Sequence, residues 1–131
     1  MTMTHGVKSI AAAAVLGAGL LVGTLAAAAE PATLRVIVVQ TDNLKAYAHE
    51  VGALNALVRK AGVNATIRVF QARFAGHDAG AVVVSVEVPN LAALARMDEV
   101  LASDPGVSAQ MAKVAAMRKI VSDSLYQEIG Q

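Results

Sequence analysis

Ala65–Val88 reads ATIRVFQARFAGHDAGAVVVSVEV, two runs of period-two alternation on either side of a glycine-containing turn. Val82, Val84, Val86 and Val88 alternate with Val83, Ser85 and Glu87, the pattern of a strand rich in β-branched residues. Ala65–Phe74 predicts its partner, with Ile67 and Val69 on one face and Arg68, Phe70, Ala72 and Phe74 on the other. Gly76 and Gly80 supply residues able to take positive φ, and Asp78 is a favourable turn residue. If Phe74 lies opposite Ala81, Arg68 lies opposite Glu87 and Phe70 opposite Ser85. One face is then wholly apolar. The other carries an Arg–Glu pair, and a slip of one residue would undo the assignment.

The remaining elements arrange themselves around this hairpin. Thr33–Thr41 is an apolar run suited to a central strand covered on both faces. Asp42 or Asn43 then caps a helix in which Leu44, Tyr47, Ala48, Val51, Leu54, Val58 and Ala61 recur at helical spacing, and Gly62 marks its end. After the hairpin, Asn90 caps a second helix with a stripe of Leu91, Leu94, Met97 and Leu101. Ser103-Asp104-Pro105 breaks it, with Asp104 as N-cap and Pro105 in the first turn of a further piece carrying Val107, Met111 and Val114. Arg118–Ile129 fits helical spacing through Val121, Leu125 and Ile129. It fits a strand equally, with Ile120, Ser122, Ser124, Tyr126 and Glu128 on the other face. Ser-Asp-Ser is a poor helix interior, which favours the strand. The order β-α-β-β-α-β with a broken second helix is the α+β, ferredoxin-like plan, whose antiparallel strands lie 4-1-3-2 with helices on one face.

The start of the chain has a different character. Met1–Ser9 contains Lys8 and no acid, Ile10–Ala29 is uncharged and almost wholly Ala, Leu, Val and Gly, and Ala27-Ala28-Ala29 precedes Glu30-Pro31. This is the layout of a secretory signal peptide over residues 1–29, and it implies a periplasmic or secreted protein. The apolar run is also about as long as a minimal membrane span, so an uncleaved anchor is the competing reading. Cleavage leaves a single domain over residues 30–131 and no membrane attachment. The chain has no cysteine, so neither a disulfide nor a lipidated N-terminal cysteine is available. Eleven basic residues face ten acidic ones. They are scattered, which argues against a nucleic-acid partner.

The β-α-β-β-α-β layout, the Asp104-Pro105 break and the closing Leu125-Tyr126-Gln127-Glu128-Ile129 resemble the dimeric α/β-barrel superfamily. That group includes antibiotic-biosynthesis-type monooxygenases and stress-responsive A/B-barrel proteins. More narrowly, Thr66 to Ile129 is similar to a family of small exported proteins of unknown function. The resemblance implies a homodimer in which the uncovered sheet faces of two copies pack into a barrel. The residues themselves also favour a covered face. With the helices on the Val82/Val84/Val86 side, the other face is expected to show Ile37, Val39, Phe70, Phe74 and Val83, too much apolar surface to leave in water.

Candidate chemistry falls on that same expected face, which also holds Arg35, Thr41, Arg68, Ser85, Glu87, Ser122, Ser124 and Tyr126. In the functional reading these residues line a small-molecule cavity. Arg35 or Arg68 binds an acidic or carbonyl group, Tyr126 donates a hydrogen bond, and Glu87 acts as base or orienter beside Ser85. In the structural reading Arg68 and Glu87 are a cross-strand ion pair at a dimer seam. His49 falls on the polar side of the first helix and His77 in the turn. No two histidines have metal-ligand spacing, so neither a metal nor another cofactor is expected. Aromatic residues make up 3% of the chain and tryptophan is absent, which removes a base-stacking platform. Three function classes remain: a small-molecule binding or structural protein, a cofactor-independent monooxygenase-like or isomerase-like enzyme acting through Arg68, Glu87 and Tyr126, and a protein-interaction module using a sheet edge.

Overall fold

The computed structural model describes residues 30–73 and 76–130. The segment expected to be a signal peptide and the side chain of Phe74 therefore lie outside the described residues. The elements are β1 (Thr33–Gln40), α1 (Leu44–Lys60), β2 (Thr66–Gln71), a 3₁₀ turn (Gly76–Asp78), β3 (Val82–Val88), α2 (Leu91–Ser103), α3 (Pro105–Ala116) and β4 (Lys119–Gln127). The sheet runs β2-β3-β1-β4, and its three neighbouring pairs are all antiparallel. The result is an α+β fold with a four-stranded open sheet and three helices.

Each helix starts where a side chain can replace a missing backbone acceptor. Asn43 accepts from the Ala46 amide at 3.0 Å and Asn90 from the Ala93 amide at 2.8 Å. Asp104 accepts from the amides of Gly106 and Val107 at 3.0 and 3.1 Å, which lets α3 begin directly where α2 stops. Pro105 fills the first position of α3, where its absent N–H costs nothing. Gly62 ends the first helical segment at φ +86°, and Gly76 and Gly80 take positive φ in the hairpin turn.

The core lies between the sheet and the helices. Tyr47, Val51, Leu54 and Val58 form the buried stripe of α1, joined by Met97 of α2 and by Val107 and Val114 of α3. They meet Ile37, Val39, Ile67, Val82, Val84 and Val86 from the sheet. The β1–β3 pairing sets Arg35 opposite Val86, Ile37 opposite Val84 and Val39 opposite Val82. Directly paired residues share a face, so Arg35, Ile37 and Val39 lie on the helix side. This corrects the expectation that placed them on the open face. Because β1 is apolar on both faces, alternation separates its residues into two sets without saying which set is covered. Leu34, Val36 and Val38 occupy the open face instead.

Two register details also differ from expectation. In the hairpin Arg68 pairs with Ser85, Phe70 with Val83 and Thr66 with Glu87, two residues away from the predicted register. The offset is even, so every side chain keeps its face. In β4, Val38 pairs with Ser122 but Val39 with Ile120, so a bulge absorbs Val121. Ile120 therefore lies opposite Val39 and does not continue the Ser122/Ser124 row.

Candidate functional site

The open face is laid out in three rows of four residues. They run Thr66-Glu87-Leu34-Tyr126, then Arg68-Ser85-Val36-Ser124, then Phe70-Val83-Val38-Ser122. Four of the five predicted site residues are here: Arg68, Ser85, Glu87 and Tyr126. Arg68 Nη2 reaches Glu87 Oε2 at 3.4 Å along the diagonal, with both side chains about half exposed. A pair in that setting is worth no more than ~1 kcal/mol. Leu34 separates Glu87 from Tyr126, and these three share an open groove at the end of the sheet with Ala32, Gln127 and Glu128. Ser85 is 6% exposed and its hydroxyl has no hydrogen-bond partner. The row geometry brings these residues to one surface, but it does not converge them on one point.

Arg35 belongs to a different place. On the helix side its Nε and Nη2 grip both carboxylate oxygens of Asp123, at 2.9 and 2.5 Å. This is the side-on, bidentate pairing that suits guanidinium to carboxylate. Arg35 also lines a cavity of ≈ 80 Å³ between sheet and helices. Ile37, Ile67, Val84 and Val86 of the sheet, Val51 and Leu54 of α1, Met97 and Leu101 of α2 and Met111 and Val114 of α3 line it, and it is partly open to solvent. Arg35 and Arg118 are its two polar lining residues.

Arg118 was not among the residues expected from the sequence to form a site. It follows α3 directly and donates from Nη1 to the hydroxyl of Tyr47 at 3.0 Å. Tyr47 is fully buried, at 0% exposure. Arg118 Nε is also buried and has no acceptor. A signal for this pairing exists in the sequence: a tyrosine within a buried helical stripe needs a partner for its hydroxyl. Nothing in the spacing of Tyr47 and Arg118, however, says that they meet.

Two carboxylates are held below the usual carboxylate range. Asp123 is lowered chiefly by its hydrogen bonds from Arg35. Glu50 on α1 is lowered by the hydrogen bond from Gln110 of α3, 2.7 Å away, and by Lys113 at 3.1 Å. Groups whose folded pKa is depressed add stability above their unfolded pKa and lose it as pH falls through the folded value. Both groups thus act in the same direction, and the protein is expected to lose stability below the ordinary carboxylate range. The D123N variant should show a shallower acid limb in urea titrations between pH 6 and pH 3. An acid limb as steep as that of the parent would show that the Arg35–Asp123 pair adds nothing to the folded state.

His49 is exposed on α1, as its helical phase predicts, and His77 is exposed in the 3₁₀ turn. Among the described residues no group of three His, Cys, Asp or Glu side chains converges as a metal site would require. No helix among them is long and apolar enough to cross a membrane.

No family model matches the chain, and no curated protein matches it. In structure it is similar to a conserved protein of unknown function from Bacteroides thetaiotaomicron VPI-5482, described as a possible oxidoreductase. The TM-score is 0.56 at 9% identity, over 76% of this chain and 100% of that one. At that identity the likeness concerns the fold alone.

Proposed function

We propose that this is an exported small-molecule-binding protein of the ferredoxin-like, dimeric α/β-barrel type, and that the cavity beneath the helices is its ligand site. The observation that carries the binding reading is the ≈ 80 Å³ apolar cavity with Arg35 and Arg118 as its polar lining. An apolar enclosure with a few fixed polar groups is the usual form of a ligand pocket. Export rests on the sequence of residues 1–29. Pairing rests on the open face, where Leu34, Val36, Val38, Val83 and Phe70 lie uncovered by any helix. Phe70 is 48% exposed and Tyr126 56%. Arg68 and Glu87 balance one another on that face, so a second copy brings no net repulsion to it.

Binding is favoured over catalysis by the cavity's own groups. A guanidinium donates hydrogen bonds and accepts none, so Arg35 and Arg118 supply no general base. The carboxylate that meets Arg35, Asp123, is engaged by it and is a weakened proton acceptor. The oxidoreductase description of the Bacteroides protein is matched here by a common fold alone.

Native mass spectrometry of the protein recovered from its exported compartment tests this reading. The expected species is a dimer of chains beginning at Glu30, each carrying a small additional mass. A monomer would overturn the pairing, chains retaining residues 1–29 would overturn cleavage, and a dimer without added mass under gentle desorption would count against a resident ligand.

A further inference from the structure

The cavity between sheet and helices has an apolar interior and a polar mouth. Val51, Met97 and Val114 are buried. Arg35, Leu101, Met111 and Arg118 are only partly buried, which marks the side on which the cavity opens. Neither arginine offers an anion its side-on edge. Arg35 has given that edge to Asp123. Arg118 gives Nη1 to Tyr47, and its Nε is buried. A cation would meet the two guanidiniums and find the Asp123 carboxylate already engaged. Asp123, and then Asp98 of α2, hold the Arg35 guanidinium charged, and Asp123 is faced in turn by Arg118. Two positive and two negative groups therefore balance one another here. A charged ligand would give up its hydration without gaining a partner. Apolar surface, by contrast, is well received, because the interior is aliphatic and the thioethers of Met97 and Met111 adapt to the shape of what they touch. At ≈ 80 Å³ the cavity has about half the volume of one that takes benzene, leaving room for about three carbons.

We propose that the cavity binds an uncharged molecule by a short aliphatic end of about three carbons, which enters past Leu101 and Met111 and packs on Val51, Met97 and Val114 while the rest of the molecule stays outside the mouth. The proposal rests on the reading of this cavity as a ligand site, and it adds the chemical class. The apolar interior supplies the affinity. The balanced and already paired charges at the mouth select against ions of either sign.

Methionine gives the site its own reporters, since Met97 and Met111 line the cavity and Met117 does not. The test is nuclear magnetic resonance of the full-length protein labelled with carbon-13 at its methionine methyl groups. Titration with 1-butanol should shift Met97 and Met111 saturably and leave Met117 in place. Sodium butyrate and butylammonium chloride, at matched ionic strength, should bind at least tenfold more weakly. L101W adds bulk at the mouth and should weaken butanol at least tenfold with the far-UV circular dichroism unchanged. Comparing the alcohol with the two ions on the parent protein keeps the question decidable if L101W does not fold. Binding of butyrate or butylammonium as tight as that of butanol would overturn the uncharged class and leave the ligand site standing. Shifts that fail to saturate at up to about tens of millimolar, shifts that Met117 shares equally, or unchanged butanol binding by folded L101W would overturn the site as well.

Discussion

Replacing Tyr47 by alanine is expected to remove about 3–5 kcal/mol of folding stability, the usual cost of deleting a buried aromatic ring. Tyr47 is the largest of the fully buried side chains, at 0% exposure, and stands on α1 among Val51, Leu54 and the sheet residues of the core. Its loss would leave a void that two rigid layers close only in part. It would also strand the Arg118 Nη1 donor that Tyr47 accepts. A single domain of this size has a total stability of about 5–15 kcal/mol, so Y47A should be partly unfolded at 37 °C. Urea denaturation followed by circular dichroism measures the effect. The Y47F variant separates the two contributions, since it keeps the ring and should lose only the hydrogen bond and the stranded Arg118 donor, about 1–3 kcal/mol. If Y47A loses under 1 kcal/mol, the core does not depend on this ring.

The second large effect is expected at the open face. Val36 occupies the middle row, between Ser85 on β3 and Ser124 on β4. V36E places a carboxylate there without touching the helix-side core, so the single-copy fold should be kept. In a face-to-face pair each copy would bury that charge against the other's apolar surface. Burying an unpaired charge costs about 3 kcal/mol or more, a hundredfold or greater rise in the dimer dissociation constant. Sedimentation equilibrium should then show a monomer with parental circular dichroism. A V36E dimer as tight as the parent would mean that this face is not the interface. The exposed hydrophobic residues Ile120, Val121 and Leu125 would then direct attention to the β4 edge.

Local signals in the chain were enough for the elements. Asn43, Asn90 and Asp104 each cap the helix expected of them, because a cap needs only one side chain near its own backbone. The strand assignment for Lys119–Gln127 followed from the poor fit of Ser-Asp-Ser to a helix interior. The Arg68–Glu87 pair was legible despite a two-residue error in register, since an even offset leaves both residues on the same face and within diagonal reach. The candidate cavity was not legible. It needs Arg35 on the helix side, and a strand apolar on both faces carries no local mark of which set turns inward. Tyr47 and Arg118 are joined only when α3 returns the chain to the sheet beneath α1.

The sequence by itself therefore determined the order of elements, their caps and turns, and the division of each strand into two sets of residues. These depend on interactions within a few residues of one another. The tertiary structure alone decided which face of β1 is covered, where β4 bulges, and that one arginine of the cavity is paired with Asp123 while the other keeps a donor unmet. Those outcomes depend on which distant segments pack together. Burial, register and hydrogen-bond satisfaction are properties of that packing rather than of any single stretch of chain.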